Sequence, residues 1–409
     1  MKKFIFVLIF FKTSLGFCLN TSLGLSKKGL LYTLSTIYLD QLYTEPPSDE
    51  FSKVENVSSY FENQLETNIL LNKIDSTFYL THQLIHPFNS QIPNHLVIII
   101  PGFGSQSDGA TSRLFLNFLS ERGFAVASLD SPAAYRFIKN TSLGGNAGNQ
   151  LEDAKILYEL IKISIPFLEK KVSQSFQFKK VSIIGASLGG LNAHLIALLN
   201  KEDTSYQLNF HKIISINPPI RNSYSLETLD KAIITYRKHP LYYSINFGLS
   251  FTPYMNIGSI NFSDLQNLTH KLILSNISAK EAYSMVGKSF SDTLAQAVES
   301  TKLRHPNLSL NATSFLDYYY QVHLTNVSKH QRNYRVLDKD SIFENASKLN
   351  TIDSYYLITF DDDLLIDASD VEFIQTSLGK KSTVFIGGGG HLGGYFRNDF
   401  QTKIIELLR

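Results

Sequence analysis

The tract Val181-Ser182-Ile183-Ile184-Gly185-Ala186-Ser187-Leu188-Gly189-Gly190 constrains this chain more than any other. Its start reads as a buried strand, and the Ala/Leu-rich stretch from Leu188 to Leu199 reads as a helix. Almost nothing separates the two, so the connecting turn must be tight. Side chains at Gly185 or Gly189 would collide with the neighbouring strand and helix, and the strained turn lifts Ser187 above the sheet edge. The helix start also brings backbone N–H groups and the positive end of a dipole to the serine oxygen. A G-x-S-x-G string arises by chance, but its placement between a strand and an apolar helix argues against chance here.

The surrounding pattern agrees. His95 to Ile100 is a continuous aliphatic run ending in Pro101-Gly102, as expected of a strand buried on both faces. Ser112 to Glu121 (helix), Phe124 to Leu129 (strand), Leu151 to Glu169 (helix), Val181 to Ile184 (strand), Leu188 to Leu199 (helix) and Lys212 to Ile216 (strand) follow in order. Alternation of this kind predicts a mostly parallel sheet flanked by helices, an α/β architecture. Upstream, Asn68 to Ile74 and Thr77 to His86 read as a hairpin turning at Asp75-Ser76, and residues 20–65 read as helical or irregular. Lys28 to Tyr43 is the best amphipathic candidate there.

After Pro219 the alternation stops. Ser223 to Lys238, Ala279 to Lys302 and Ser314 to His323 are helical candidates in an aromatic-rich block. It resumes with Ser354 to Phe360 (strand), Ala368 to Leu378 (helix), Ser382 to Ile386 (strand) and Gln401 to Leu408 (helix). The expected organisation is therefore a leader at 1–19, a first core segment at 20–219 with its extension at 20–65, a largely helical cap insertion at 220–345, and a second core segment at 346–409.

The leader has Lys2 and Lys3 before the apolar run Phe4 to Phe11, with Ser14 and Gly16 as small residues for cleavage. The run is too short to span a bilayer. Export is expected, to a periplasm or to the medium, with a eukaryotic secretory route as the alternative. Asn-X-Ser/Thr recurs from Asn20 to Asn345, which such a route would read as glycosylation acceptors. Cys18 is the only cysteine, so cleavage beyond it leaves no disulfide and no thiolate metal site. A formal net charge of +2, with no basic block, gives no reason to expect nucleic acid.

The serine tract and its setting resemble the α/β-hydrolase superfamily over residues 65–220 and 345–409, and the resemblance supplies roles for other residues. A base is expected after the last strand, where Gly387-Gly388-Gly389-Gly390-His391-Leu392-Gly393-Gly394 offers His391. His194, inside the helix after the serine, reads as a packed core residue. The orienting acid is expected after Tyr355 to Phe360, within Asp361-Asp362-Asp363-Leu364-Leu365-Ile366-Asp367. Asp363 fits best, and Asp362 stays open as the alternative. A calcium loop is the competing reading, but the spacing lacks that motif's Gly and terminal Glu.

Pro101-Gly102-Phe103-Gly104 follows the first buried strand, and the Phe103 and Leu188 backbone N–H groups are the implied oxyanion donors. Gly102 to Ser107 half-matches a dinucleotide loop but lacks its third Gly. Within the superfamily, the Gly-Gly-His-Leu-Gly tract is similar to that of the YheT/EMB8-type esterases, as is Asp317-Tyr318-Tyr319-Tyr320. Here the acid lacks the Asp-Asp-Pro ending of that group.

The resemblance implies a serine hydrolase cleaving a carboxylic ester, a carboxylesterase or lipase-like enzyme. No cofactor and no metal are called for. The expected partner is a small-molecule or lipid ester, with no nucleic acid and no integral membrane segment once the leader is removed. Oligomeric state is open. An amidase or peptidase would use the same triad, and a binding protein could keep the fold without the reaction. The insertion's aromatics suit either an apolar substrate or the insertion's own core.

Overall fold

The computed structural model describes residues 61–71, 74–85, 93–107, 109–134, 137, 149–172, 174–238, 279–304, 309–322, 334–379 and 382–409. The leader, the extension up to residue 60 and the amphipathic candidate at 28–43 lie outside the described residues.

Eight strands form one sheet: β1 (Phe61–Leu71), β2 (Ile74–Ile85), β3 (His95–Ile100), β4 (Ala125–Ser128), β5 (Lys180–Ala186), β6 (Phe210–Ile216), β7 (Tyr355–Phe360) and β8 (Thr383–Ile386). Their spatial order is β1-β2-β4-β3-β5-β6-β7-β8. Strands β3 to β8 run parallel, while β2 is antiparallel to both neighbours. The helices are α1 (Ala110–Ser120), α2 (Gln150–Val172), α3 (Leu188–Glu202), α4 (Asn222–Lys238), α5 (Ala279–Arg304), α6 (Phe315–Val322), α7 (Tyr334–Asp338), α8 (Ile342–Leu349), α9 (Ala368–Ser377) and α10 (Asn398–Leu408).

Two sequence expectations need correcting at the front. The hairpin turn does not fall at Asp75-Ser76: both residues lie inside β2, paired with Leu70 and Ile69. Residues 61–65 are strand, not helix or irregular chain. Ladder hydrogen bonds use only backbone groups, so polar residues near the margin of a sheet do not end a strand; the polar pair was a misleading turn signal.

The apolar runs are continuous because both sheet faces are covered. In β3, Leu96, Ile98 and Ile100 pack with α2 and α3, whereas Val97 and Ile99 pack with α1 and α10. Strand period two thus feeds two separate cores from one run. Residues 222–349 carry helices α4 to α8 between β6 and β7. Helix α8 crosses the 345/346 boundary, and its Ile342, Ala346 and Leu349 pack into the core shared with α2 and α3. Among the described residues, no helix is long and apolar enough to cross a membrane.

The chain goes from β3 to β4 on one side, then returns to β5 on the other side of β3. A reversal of that kind opens a crevice at the carboxyl ends of the strands.

Candidate active site

The residues given roles in the serine chemistry, Phe103, Ser187, Leu188, Asp363 and His391, sit at that carboxyl edge. Ser187 directly follows β5 and has φ 54° and ψ −118°, a backbone state that L-residues avoid. Contacts on both sides enforce it. A Cβ on Gly185 would stand 2.1 Å from the Gly189 carbonyl oxygen, and one on Gly189 would stand 2.0 Å from the Ile100 carbonyl oxygen. Strand β5, the start of α3 and the end of β3 therefore close on one another with no room for a methyl group. The Ser187 N–H donates to the Ile216 carbonyl at 2.8 Å, which fastens the turn to the end of β6.

His391 follows β8 in the glycine loop, where Gly388 and Gly390 take φ 62° and 59° and Leu392 takes φ 66°. Its Nε2 lies 2.8 Å from Ser187 Oγ, and its Nδ1 lies 3.0 Å from both Asp363 oxygens. An ionised carboxylate only accepts hydrogen bonds. Nδ1 therefore carries the proton and donates to Asp363, which leaves Nε2 to accept from the serine hydroxyl. All three are buried, at 9% exposure for Ser187, 6% for His391 and 2% for Asp363.

The acidic stretch sorts into separate tasks. Asp363 faces the histidine and also accepts from the Leu365 N–H at 2.8 Å. Asp362, the alternative, turns instead to the glycine loop and accepts from the N–H groups of Gly389 and Gly390, each at 2.7 Å. Asp361 accepts from Gly388 N–H at 2.7 Å. Asp367 caps α9 by accepting from Asp370 N–H, and Arg221 pairs with both Asp367 and Asp370. Among the described residues, no group of three His, Cys, Asp or Glu side chains could hold a metal ion.

Phe103 and Leu188 converge across Ala133. A Cβ on Gly102 would stand 3.3 Å from Ser187 Cβ, so the loop after β3 runs directly against the serine. Ser107 N–H donates to the buried Asp130 at 2.7 Å, and Ser131 N–H donates to the Ser105 carbonyl at 3.0 Å. These bonds tie the loop to the chain leaving β4. Helices from the insertion press on it from above: Phe103 meets Phe315 edge-on at 5.7 Å between ring centroids, and Phe290 meets Phe315 at 6.5 Å. Phe315 and Tyr318 are buried among Ile233, Leu294 and Ala297, so these aromatics form the insertion's own core.

The strand order, the single antiparallel strand next to the first, and a serine at a strained strand-to-helix turn decide the architecture together. The fold is the α/β-hydrolase fold. The resemblance read from the sequence thus holds at the level of fold. His194 lies on α3 as a fully buried core residue, and burial pushes its pKa down to about 3, so it is neutral. One member of the site had not been singled out beforehand. Asn217, at the end of β6, donates from Nδ2 to Asp363 Oδ2 at 2.6 Å. An Asn closing a buried strand was the available signal, because Asn tolerates left-handed backbone better than most residues.

No protein-family model matches the chain, and no curated protein does. Solved structures with the hydrolase fold are similar to it at low identity. An esterase of Pyrococcus furiosus aligns at 12% identity over 89% of this chain and 94% of its own, with a TM-score of 0.45. A membrane phospholipase A, a bacterial virulence factor, aligns at 16% identity over 93% of both chains, with a TM-score of 0.44. A thermostable carboxyl esterase from Bacillus coagulans aligns at 15% identity over 86% of this chain and 98% of its own, with a TM-score of 0.43. Strand order and site geometry carry the assignment of fold, not these distant likenesses.

Proposed function

We propose that the chain is a serine hydrolase of carboxylic esters that works through an acyl-enzyme on Ser187. The observation that carries the reading is the unbroken chain Ser187 Oγ, His391 Nε2, His391 Nδ1, Asp363, with both contacts at 3.0 Å or less. His391 takes the hydroxyl proton as Oγ bonds to the ester carbon, and the carbonyl electron pair moves onto oxygen. The N–H groups of Phe103 and Leu188 are the proposed donors to that oxyanion. Collapse breaks the bond to the alkoxy oxygen, which leaves as the alcohol with the proton from His391. Water then repeats the sequence in reverse roles and releases the acid. Asp363 stays ionised throughout and stabilises the imidazolium.

Incubation with a fluorophosphonate probe tests the nucleophile: labelling is expected, and it should vanish in Ser187→Ala. A folded wild type that resists the probe would remove the proposal. A series of p-nitrophenyl esters of increasing chain length, run beside peptide amides, tests the bond type. Faster turnover of amides than of every ester would make it an amidase. We also propose export directed by residues 1–19, checked by whether the secreted or periplasmic fraction holds a shortened protein.

A further inference from the structure

We propose that Asn217 is a positioning residue: its amide holds the Asp363 carboxylate in the orientation that faces His391 Nδ1. The inference rests on the reading of Ser187, His391 and Asp363 as a catalytic triad. Three independent observations meet at this side chain. First, its backbone links the two strands that carry the serine and the acid. Ser187 N–H donates to the Ile216 carbonyl, and Asn217 N–H donates to the Ile358 carbonyl of β7, both at 2.8 Å. Second, Asn217 is fully buried yet has φ 48°, one of three positive values among described non-glycine residues, the others being Ser187 and Leu392. Strained backbone persists where the surrounding structure over-determines it, and all three cases lie around one hydrogen-bonded group.

Third, the amide contact is aimed. Nδ2 reaches Asp363 Oδ2 at 2.6 Å, and the facing atom must be the NH2 group because the carboxylate only accepts. Leu365 N–H occupies the other oxygen, Oδ1, at 2.8 Å. The carboxylate is therefore pinned at both oxygens by donors other than the histidine, so rotation about its last bond is blocked. Without Asn217, Oδ2 would keep only the imidazole. The carboxylate could then turn, and the imidazole would lose its fixed direction towards Ser187. Asn217 touches neither Ser187 Oγ nor a substrate carbonyl in this role; it acts through Asp363.

Asn217→Gly is the first test, because glycine accepts the left-handed backbone while removing the amide. With thermal unfolding confirming a native fold, kcat should fall by about tenfold to a hundredfold and KM should stay within about twofold, as expected for a hydrogen bond to a charged group that matters in the transition state. An unchanged kcat would overturn the proposal. Asn217→Asp gives a readout that a merely structural role would not move. Two carboxyl groups at this separation share one proton, and the protonated one still donates to the other. The variant's activity relative to wild type should therefore decline as pH rises and the shared proton is lost. A ratio independent of pH, with wild-type kcat, would overturn the proposal even if the glycine variant failed to fold. Failure of the underlying reading looks different: a wild type that turns over no ester or amide and resists the fluorophosphonate defeats both. A wild type labelled at Ser187 whose Asn217 variants behave normally defeats this inference alone.

Discussion

Strand β5 has a buried serine–histidine pair near each end, and the two behave differently. At the carboxyl end, Ser187 Oγ lies 2.8 Å from His391 Nε2; towards the amino end, Ser182 Oγ lies 2.9 Å from His95 Nε2. The two distances do not distinguish the pairs. What differs is the far side of each ring. His391 has the Asp363 carboxylate, itself held by Asn217 and Leu365. His95 meets Phe124 at 5.1 Å and His211 at 5.2 Å between ring centroids, with Lys180 nearby. Burial first, and then His211 and Lys180, push its pKa down to about 4. A proton taken up by His95 would enter a buried site with cationic neighbours, whereas one taken up by His391 meets an anion. Backbone conformation separates them as well, since Ser182 lies inside β5, beside a register shift against β6, without the positive φ of 54° that Ser187 has. A Ser–His contact alone therefore does not make the proposed hydrolytic site; the third partner and the strained turn make the difference.

The sharpest way to break this contrast is to remove each serine. Ser187→Ala should lower kcat by on the order of 10⁵- to 10⁶-fold, and Ser182→Ala should leave it within about twofold, as measured on p-nitrophenyl esters. Comparable losses in both would dissolve the distinction. The next largest effect should come from the acids. Asp363→Asn leaves the imidazole without its anion and permits the wrong tautomer, so a loss on the order of 10³ to 10⁴-fold is expected. Asp362→Asn replaces the acceptor for the Gly389 and Gly390 amides. Its expected loss is about tenfold, because it loosens the loop without removing the charge beside the ring. A reversal of that ranking would move the triad acid to Asp362.

The smallest effect is on stability and belongs to two buried neutral histidines, one of them in the amino-end pair. His95 and His194 have folded pKa values of about 4 and about 3, below the ordinary 6.5. The unfolded chain therefore binds more protons than the folded one as pH falls from about 6.5 towards those values. Stability contributed by the neutral rings is fully present above 6.5 and is lost on acidification through this window. Urea midpoints should drop between pH 7 and pH 5, with about 1–2 kcal/mol assignable to each histidine. His95→Gln should flatten part of that slope while leaving ester turnover at pH 7 nearly unchanged.

The hydrolase core was readable from the chain because its signals are local. A buried parallel strand is a short aliphatic run, and the turn at Ser187 has room only for glycine at Gly185 and Gly189. The glycines around His391 and its place after the last strand were readable, and the contact with Ser187 is what the structure adds. The hairpin turn was misread because Asp75-Ser76 looks like a turn in isolation, whereas the ladder places it inside β2. The aromatics of the insertion were equally ambiguous until packing put Phe315 and Tyr318 in its core.

The sequence by itself determined the order of parallel strands and helices, the strained serine turn and the histidine loop, because steric limits on a turn and the period of a strand are written in neighbouring residues. It left Asp362 and Asp363 unresolved, because one step along a turn points successive side chains in different directions. Only the tertiary structure sent Asp363 to the imidazole and Asp362 to the glycine amides. It alone brought Asn217 to the acid from a strand 146 positions away in sequence, and gave His391, but not His95, an anion to face. Those outcomes depend on which strands lie side by side, and hydrogen bonds across the sheet edge form only after the sheet has assembled.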